Sequence, residues 1–397
     1  MDDVIVIGAG PAGNSAARRL AQYGHSVTVI ERAERIGDKL CTGIVGLDCV
    51  KQYPVDTTLV HKQADCARFM APSGDNLDIF RDEPQAVILD RVKYVASFAE
   101  DARKLGARYL MGNRVVNIRR KNGIVELSLV AKSYHSIVKA RAVVVASGFG
   151  TPLVQQLGMK TSKSFVTGIQ AEVMASSIDR VHVYFGRDVA PGFFAWLVPT
   201  YEGRALVGLL SERNPRHYME LLLAKLQNEN LISKLAKGPS QWGVPLKALP
   251  RTFGDMVVIS GDAAGQVKPT TGGGIYYGLV AGELAADTLH DGFLRDDLSA
   301  ASLSVYERKW KALMGDEMKI GLSARRLFEH LGNTQMDQVM RIVKERSLHV
   351  ELLSAPDLSF DRHSSFILKA LAHPVFGGFL SRLSPPLAGL MLRIKSR

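Results

Sequence analysis

Residues 2–31 contain the sequence feature that restricts the fold most. The β-branched run VIVIG leads into the turn Gly8-Ala9-Gly10-Pro11-Ala12-Gly13, and a second such run, VTVIE, ends at Glu31. Between the two runs, Pro11 to Tyr23 has the pattern of a helix with small residues toward a sheet. Strand, turn, helix and strand make a βαβ unit, whose parallel strands need helices over the faces of their sheet. We therefore predict an α/β fold.

The turn between the first strand and the helix has the spacing GxGxxG, and an acidic residue follows at about the distance expected of a dinucleotide site. Glycines are required there for the tight turn, for close approach to a pyrophosphate and for helix–strand packing. The helix N-terminus carries partial positive charge that favours phosphate, and Glu31 is placed to hold ribose hydroxyls. The alternative is a glycine turn in an α/β domain without a cofactor. The candidate cofactor-binding residues of this unit are Gly8, Gly10, Ala12, Gly13, Glu31 and Arg32.

A second glycine-rich stretch, VVISGDAAGQVKPTTGGGIYYG, follows much later in the chain. Its Gly261-Asp262 comes directly after a buried strand, where the carboxylate can accept a hydrogen bond from a sugar-alcohol hydroxyl. The run Gly272-Gly273-Gly274 opens a helix predicted to extend from Ile275 to about Leu289, and its missing side chains let backbone N–H groups approach a flat ring. The helix dipole would stabilise negative charge on that ring. The candidates here are Gly261, Asp262, Gly272, Gly273, Gly274 and Ile275.

Together, the early GxGxxG and the late GDAAG…P…GGGI resemble the FAD-binding fold of the hydroxylase and reductase flavoproteins. The resemblance implies that FAD is the cofactor and that Arg91, which begins a helix after Asp90, contacts the flavin; Val115 is a further cofactor-binding candidate. One departure is Ser147, because such flavoproteins often have an acidic residue at that place. There is no second GxGxxG, so the electrons are expected from a ferredoxin-like carrier or from transiently bound NAD(P)H.

Residues 191–199, PGFFAWLVP, resemble the PxxYxWxFP strip of the geranylgeranyl reductases, flavoenzymes that saturate polyprenyl chains. Pro191, Trp196 and Pro199 match, while Phe194 stands where Tyr is usual and Val198 where Phe is usual. The stretches KLCTGIVG and PTTGGGI also resemble that family. The substrate-lining candidates are Phe194, Trp196, Tyr184 and Pro191. The plain alternative is a buried core strand.

The resemblance implies reduction of carbon–carbon double bonds in a polyprenyl chain on a lipid, a chlorophyll-type molecule or a quinone. An isoprenoid has no charge to bind, so an apolar tunnel must hold it, at about 25 cal/mol per Å² of buried apolar area. Hydride from flavin N5 needs a matching proton, and Cys41 is the candidate donor, or a flavin-side residue; otherwise it is a small buried thiol. Two other functions stay open: a flavin-dependent monooxygenase or halogenase, and a membrane-associated FAD protein that passes electrons to quinone.

The order of patterns predicts three parts. A discontinuous, three-layer Rossmann-like FAD-binding domain takes residues 1–60, 85–150 and 251–300. A mostly antiparallel β-sheet substrate domain, inserted into it, takes residues 61–84 and 151–250, and residues 301–397 form a C-terminal helical domain. Within the first part, VVNIRR and IVELSL flank Lys121-Asn122-Gly123 and predict a hairpin.

The formal net charge is +11, and residues 362–397 carry six cations and no Asp or Glu, interleaved with Phe, Leu and Ile. Such a tail suits an anionic membrane surface, or else packs as a helical subdomain with solvated cations. No nucleic-acid motif accompanies the charge. Three cysteines without CxxC spacing argue against disulfides and zinc, and no metal is expected. With neither a signal-peptide pattern nor a spanning segment, we expect a cytoplasmic protein, either free or peripheral on the inner membrane face.

Overall fold

The structure is a computed structural model that describes residues 1–37, 41–132, 134–162, 164–175, 178–201, 203–354 and 358–383. Its residues divide into two compact units. Unit 1 comprises residues 1–39, 91–165 and 244–318, and unit 2 comprises residues 40–90, 166–243 and 319–397. Each unit therefore consists of three separate stretches of the chain.

The strands are, in chain order, β1 (Asp2–Ile7), β2 (Val27–Ile30), β3 (Ile44–Gly46), β4 (Val60–Ala64), β5 (Cys66–Met70), β6 (Asn76–Phe80), β7 (Ala86–Leu89), β8 (Arg108–Leu110), β9 (Arg114–Lys121), β10 (Ile124–Ala131), β11 (Tyr134–Val145), β12 (Phe165–Met174), β13 (Val181–Tyr184), β14 (Ala195–Pro199), β15 (Arg204–Ser211), β16 (Lys234–Pro245), β17 (Phe253–Gly254) and β18 (Val257–Ile259).

The helices are α1 (Pro11–Gln22), α2 (Leu47–Gln52), α3 (Arg91–Lys104), α4 (Leu153–Gln156), α5 (Pro215–Asn228), α6 (Ile275–Leu294), α7 (Ala300–Trp310), α8 (Asp316–Glu329), α9 (Asn333–Glu345), α10 (Leu348–Leu353), α11 (Ser364–Ala372) and α12 (Pro374–Leu383). A π-helical stretch, Lys311–Gly315, joins α7 to α8, and a single 3-10 turn, Gly261–Ala263, follows β18.

Unit 1 is built on a sheet with the strand order β17-β18-β11-β1-β2-β8. The strands from β18 to β8 pair in parallel, β17 pairs with β18 in antiparallel register, and the antiparallel strands β10 and β9 extend the sheet from β11. Buried β-branched residues fill β1, β11 and β18 on both sides, because both faces of the sheet are covered. On one face, Ile5, Val143 and Val257 pack in a core with residues of β9, β10 and α4. This is the predicted Rossmann-like fold, and it is confirmed.

The predicted hairpin of unit 1 is also confirmed. Strands β9 and β10 pair in antiparallel register with Lys121 opposite Ile124. The two residues between them, Asn122 and Gly123, both have positive φ, at 50° and 74°. That is the requirement of a type I′ turn, whose twist matches that of the two strands.

Unit 2 contains a seven-stranded sheet with the order β16-β12-β15-β14-β13-β5-β6, in which every pair with a described register is antiparallel except β13–β5. The predicted, mostly antiparallel sheet is thus confirmed. Helix α5 covers one face: its Met219, Leu222 and Leu226 pack into a core with Ala195 and Leu197 of β14. A smaller sheet, β3-β7-β4, belongs to the same unit.

The helices that follow residue 318 do not stand apart as the predicted C-terminal domain. The backbone N–H of Arg187 donates to Asn333 Oδ1 at 2.8 Å, and that of Ser73 donates to Asp337 Oδ1 at 2.8 Å. Asp361, 2% exposed, accepts from the backbone N–H groups of Gly46 and Cys49. These contacts bind α9 and the segment before α11 into unit 2.

The boundaries found in the structure differ from the predicted ones in three further places. Residues 41–60 and 85–90 lie in unit 2, because β3 and β7 form a sheet with β4 there. Residues 151–165 and 244–250 lie in unit 1, as does α7, whose Trp310 Nε1 donates to Thr252 Oγ1 at 2.9 Å. Sequence patterns located the elements, but the pairing between distant elements decided the unit to which each belongs.

The basic tail is helical as far as it is described. The apolar side chains of α11 and α12, among them Ile367, Leu371 and Phe376, pack with Leu327 of α8. Within the described ranges, no helix is long and apolar enough to cross a membrane. Residues 384–397, which include three of the six cations of the predicted membrane-binding tail, lie outside the described residues.

Candidate functional site

The GAGPAG turn joins β1 to α1 at the carboxyl edge of the unit 1 sheet. Gly8 has φ +102°, and a Cβ there would lie 2.5 Å from the carbonyl oxygen of Ala146; a Cβ on Gly13 would lie 1.8 Å from that of Gly8. A Cβ on Gly10, by contrast, would meet nothing within 4 Å. Gly8 and Gly13 are thus needed for packing, while the space at Gly10 lets a ligand reach the start of α1.

Glu31 braces this turn from the end of β2. Its carboxylate accepts hydrogen bonds from the backbone N–H groups of Ala9, at 2.7 Å, and Ala33, at 2.8 Å. A carboxylate has about four acceptor positions, so two remain for the hydroxyls of a ribose. Arg32 is exposed beside it. The placement fits the predicted role of Glu31; for Arg32 the role stays a prediction.

Asn14, in the first turn of α1, is a buried polar residue that was not predicted as a site residue from the sequence. It is fully buried in α1, and its amide nitrogen donates to the carbonyl oxygens of Ala9, at 3.0 Å, and Val95, at 3.1 Å. Its amide oxygen accepts from the hydroxyl of Tyr109 at 3.0 Å. Burial raises the pKa of Tyr109, which keeps that hydroxyl a donor. Asn14 therefore ties the turn to α3 and β8, and a polar residue amid small ones was its only signal in the sequence.

The two remaining candidates in the first half of unit 1 differ in character. Arg91 is the first residue of α3, is 8% exposed, and donates to the carbonyl oxygen of Gly37. Val115 packs in the hydrophobic core with Ile7 and Ile30. Its side chain is therefore used for packing, and any contact of Val115 with a cofactor would come from its backbone.

The GDAAG stretch brings the second glycine-rich segment against the first. Gly261 has φ +67°, and a Cβ on it would lie 2.8 Å from the Cβ of Ala12. Asp262 follows, and its Oδ1 lies 2.9 Å from the position that a Cβ on Gly274 would take. Residues that are about 250 positions apart in the chain are thus neighbours, as predicted for one cofactor site.

A hydrogen-bond chain behind the GDAAG stretch fixes its first residue. The backbone N–H of Gly261 donates to Gln266 Oε1 at 2.8 Å, and Gln266 Nε2 donates to the hydroxyl of Tyr306 at 3.0 Å. Gln266 and Tyr306 are both fully buried. Burial also raises the pKa of Tyr306, so that its phenol stays neutral. Neither residue was predicted from the sequence, because the hydrogen bond between them joins α7 to a loop 40 positions earlier in the chain.

The run of three glycines ends at the N-terminus of α6. Gly272 has φ +72°, a left-handed conformation that favours glycine, and Gly274 is the residue before the helix. Ile275, the first helical residue, is buried and anchors the helix in unit 1. The first N–H groups of an α-helix have no acceptor within the helix, so the start of α6 is where the predicted contact with the flavin ring would lie.

These features fit an FAD molecule. The candidate contacts are the open space at Gly10 for phosphate, the carboxylates of Glu31 and Asp262 for the sugars, and the bare backbone of Gly272–Gly274 for the ring. A cavity of about 230 Å³ opens at the same sheet edge, with Asp262 and the segment Phe149–Pro152 in its wall. The hydroxyl oxygen of Ser147, near this edge, is buried and has no hydrogen-bond partner among the described residues. A bound polar ligand would satisfy it.

The PGFFAWLVP strip places its tryptophan on the sheet face opposite α5. Ala195 and Leu197 point toward α5, so Trp196 between them points away. Trp196 is 7% exposed, and its Nε1 donates to Gln170 Oε1 at 3.3 Å. Gln170 is fully buried, and its Nε2 has no hydrogen-bond partner among the described residues.

Two glycines make room for tryptophan rings on this face, which we call the indole face (Gly168, Gln170, Trp196, Gly208 and Trp242). A Cβ on Gly208 would lie 2.4 Å from Trp196, and one on Gly168 would lie 2.7 Å from Trp242. Glycine inside a strand often marks such a close approach. Glycine within strand patterns was visible in the sequence, yet of the indole-face residues only Trp196 was predicted to line the substrate.

Tyr184 is a correction to the predicted substrate wall. It pairs with Ala195 and lies in the core against α5, 2% exposed, so it faces away from the indole face. Phe194, just before β14, does join Trp196: their ring centroids lie 6.1 Å apart at an interplanar angle of 62°. Pro191 lies in the preceding turn and is half-buried.

Cys41, the predicted catalytic residue, lies in unit 2 three residues before β3. None of the three cysteines is in a disulfide; Cys41 and Cys66 are half-buried, and Cys49 is buried. Residues 38–40, which precede Cys41 in the predicted motif, lie outside the described residues. The chemical role of Cys41 stays a prediction. Among the described residues, no group of three or more His, Cys, Asp or Glu side chains is placed to hold a metal ion.

Comparison with known proteins identifies the type of oxidoreductase. Residues 2–177 match the family model of the pyridine nucleotide-disulphide oxidoreductases. A digeranylgeranylglycerophospholipid reductase of Methanothrix thermoacetophila is 28% identical over 87% of this chain and 92% of its own. The chain is thus similar to proteins named as geranylgeranyl-lipid reductases over most of its length. It is an FAD-dependent oxidoreductase, in agreement with the fit of its glycine loops to FAD.

Solved structures share the fold of this chain. A geranylgeranyl bacteriochlorophyll reductase-like protein from Thermoplasma acidophilum superposes with a TM-score of 0.84, covering 96% of this chain and 98% of its own at 23% identity. The halogenase PltM, in complex with phloroglucinol and FAD, superposes with a TM-score of 0.67 at 15% identity, covering 99% of this chain and 94% of its own. The fold alone is thus common to flavoproteins of different chemistry.

Proposed function

We propose that the protein is an FAD-dependent reductase that saturates carbon–carbon double bonds of a geranylgeranyl-type chain carried on a lipid. The observation that carries this proposal is the extent of the similarity to the named lipid reductases. The match covers 87% of the chain, so it includes the sheet with the indole face as well as the cofactor-binding unit. Similarity confined to unit 1 would support cofactor binding alone.

The residues of unit 1 have binding and orienting roles in this proposal. Glu31 accepts hydrogen bonds from the adenosine ribose, the N-terminus of α1 at Gly10 receives the phosphates, and Asp262 holds the ribityl chain. The backbone of Gly272–Gly274 lies against the ring and leaves no side chain in its way. FAD, when bound, supplies the hydride.

The indole face supplies the substrate contacts in this proposal. An aromatic and aliphatic surface binds an isoprenoid by burial and excludes water from the reacting bond. The hydrogen bond from Trp196 to Gln170 fixes the orientation of the indole ring. The electron-rich face of Trp196 can stabilise positive charge that develops on a substrate carbon. Phe194 in place of Tyr makes this wall more apolar, and Val198 in place of Phe makes it wider.

Cys41 completes the proposed reaction as proton donor. Hydride adds to one alkene carbon and the thiol proton to the other, so that one double bond gains two hydrogens. The thiolate left behind takes a proton from water before the next cycle. Cys41 fits this role by its chemistry, because a thiol can donate a proton, and by its half-buried position.

The test is anaerobic. Protein with chemically reduced FAD is incubated with a digeranylgeranylglycerophospholipid, geranylgeranyl diphosphate or a prenylated quinone. The masses of the products are then measured by mass spectrometry. We expect a gain of two hydrogens per reduced bond with the lipid. No mass gain with any of the three would refute the proposal. Quinol formation without alkene reduction would favour the electron-transfer alternative, and an oxygenated product in air would favour a monooxygenase.

The proposed role of Cys41 has a matched control in Cys66, which is also free and half-buried in unit 2. We expect Cys41→Ala to lower the rate of lipid reduction at least a hundredfold and Cys66→Ala to change it less than threefold. FAD absorbance should be unchanged in both variants. If Cys41→Ala reduces the lipid at the wild-type rate, another group supplies the proton.

The electron donor and the membrane are further parts of the proposal. Either a ferredoxin-like carrier or NAD(P)H would reduce the FAD. Stopped-flow absorbance of the flavin, measured with each donor in turn, would distinguish these two donors.

The basic tail would hold the protein on an anionic membrane surface. A variant ending at Leu383 removes only residues outside the described core of unit 2. We expect it to lose cosedimentation with anionic liposomes, and unchanged binding would exclude the last fourteen residues as the anchor.

A further inference from the structure

Lys268, in the stretch QVKPTTGGG, is a buried lysine inside the second glycine-rich segment. Only 6% of it is exposed, although lysine is among the residue types least often buried. The backbone fixes its place: its N–H donates to the carbonyl oxygen of Gly273 at 3.0 Å, and its carbonyl oxygen accepts from Gly272 at 2.8 Å. Residues 268–273 therefore form a closed loop.

The side chain of Lys268 folds back over this loop. A Cβ on Gly273 would lie 2.9 Å from Lys268 Cε and 3.6 Å from Nζ. The ammonium group is thus held beside the glycine run and the start of α6. A helix N-terminus offers about half a unit of positive charge, whereas an ammonium group adds a full unit at the same place. Loss of water around a buried charge strengthens its field.

We propose that Lys268 sets the reduction potential of the flavin by stabilising the negative charge of its reduced form. This inference rests on the proposed function, because it takes Gly272–Gly274 as the segment that lies against the flavin ring. Reduction adds two electrons from the donor and one proton at N5, and the remaining negative charge lies at the N1–C2 edge. The flavin becomes easier to reduce and a correspondingly weaker hydride donor.

The test compares Lys268→Met, which keeps the length and removes the charge, with Lys268→Arg, which keeps the charge. Lys104→Met removes a charge at the exposed end of α3 in the same unit and serves as control. Flavin potentials are measured against a reference dye, and sulfite, which adds to N5 and leaves a negative flavin, is titrated into each protein.

We expect Lys268→Met to shift the two-electron equilibrium at least tenfold toward oxidised flavin, about 30 mV, and to weaken sulfite binding at least tenfold. Lys268→Arg should stay within threefold of wild type, and Lys104→Met should change neither quantity. Potential and sulfite affinity in Lys268→Met equal to those of Lys104→Met would overturn the inference.

A second measurement needs no variant. Below the pH at which N1 of free reduced FAD takes up a proton, the reduced wild-type protein should still show the absorbance spectrum of the anionic flavin. The spectrum of the neutral reduced form at that pH would overturn the inference even if Lys268→Met failed to fold. A wild-type protein that bound no FAD would refute the proposed function itself, whereas normal FAD binding with unchanged potentials refutes only the role of Lys268.

Discussion

The chain from Gly261 through Gln266 to Tyr306 offers the sharpest test of how the cofactor loop is held. In the variant Gln266→Met the side chain keeps nearly the same length, but the Gly261 N–H loses an acceptor at 2.8 Å and the Tyr306 hydroxyl loses a donor at 3.0 Å. A buried polar group left without its partner costs about 1–3 kcal/mol. The two together predict that the free energy of unfolding falls by about 2–6 kcal/mol.

For a domain of the size of unit 1, each kcal/mol shifts Tm by about 2–4 °C, so Gln266→Met should lower the Tm of the FAD-free protein by about 4–24 °C. Gly261 also sets the position of Asp262, its neighbour. A lost hydrogen bond to a charged group is worth about 1.5–3 kcal/mol, which corresponds to a tenfold to hundredfold weaker affinity for FAD. Differential scanning calorimetry and flavin fluorescence titration measure these two effects.

Tyr306→Phe is the matched variant, because it removes the hydroxyl but leaves the bond from Gly261 to Gln266 intact. It should lower the free energy of unfolding by about 1–2 kcal/mol and leave the Kd for FAD within threefold of wild type. The double variant should show a coupling energy of about 0.5–3 kcal/mol, since the two side chains are in contact. The reasoning is refuted if Gln266→Met binds FAD as tightly as Tyr306→Phe does, or if the two changes are additive.

Three further predictions concern single positions. Glu31→Gln replaces an acceptor by a donor opposite backbone N–H groups and should weaken FAD binding at least tenfold in a fluorescence titration; an unchanged Kd would exclude the proposed ribose contact. Gly208→Ala places a Cβ 2.4 Å from Trp196, so we expect unfolding in urea to show a loss of about 1–3 kcal/mol with altered tryptophan fluorescence, and a wild-type profile would contradict the packing. Burial lowers the pKa of His182 below its ordinary value of 6.5, so the unfolded chain binds a proton there that the folded chain does not. Stability should therefore fall as the pH drops through about 6.5, and Tm against pH should flatten in His182→Phe but not in an exposed His135→Phe control.

The cofactor half of the fold could be predicted from the sequence because its signals are local. The turn GAGPAG, the β-branched runs on either side and the pair Asn122-Gly123 each act over a few residues. Their backbone conformations depend little on the rest of the chain. The same holds for the start of α3 at Arg91 and of α6 at Ile275. The resemblance to flavoproteins rested on these local motifs and led to FAD.

Contacts between distant elements could not be predicted in the same way. Strand periodicity showed that neighbours in one strand alternate between faces, but only the pairing of Tyr184 with Ala195 showed that Tyr184 faces α5 while Trp196 does not. A shift of one residue in that register would have reversed the assignment. The indole face depends on the same long-range pairing.

The sequence by itself determined the chemistry that the chain can offer: two glycine loops for a flavin nucleotide, an apolar strip with a tryptophan, and a free thiol. The tertiary structure decided which groups hold those loops in place. Asn14, Gln266 and Tyr306 are unremarkable in sequence, and they act because folding buries them. A buried polar group must find a partner, and that partner can lie far along the chain. Local patterns reveal where a ligand can bind, whereas only the folded chain reveals the buried contacts that shape the site.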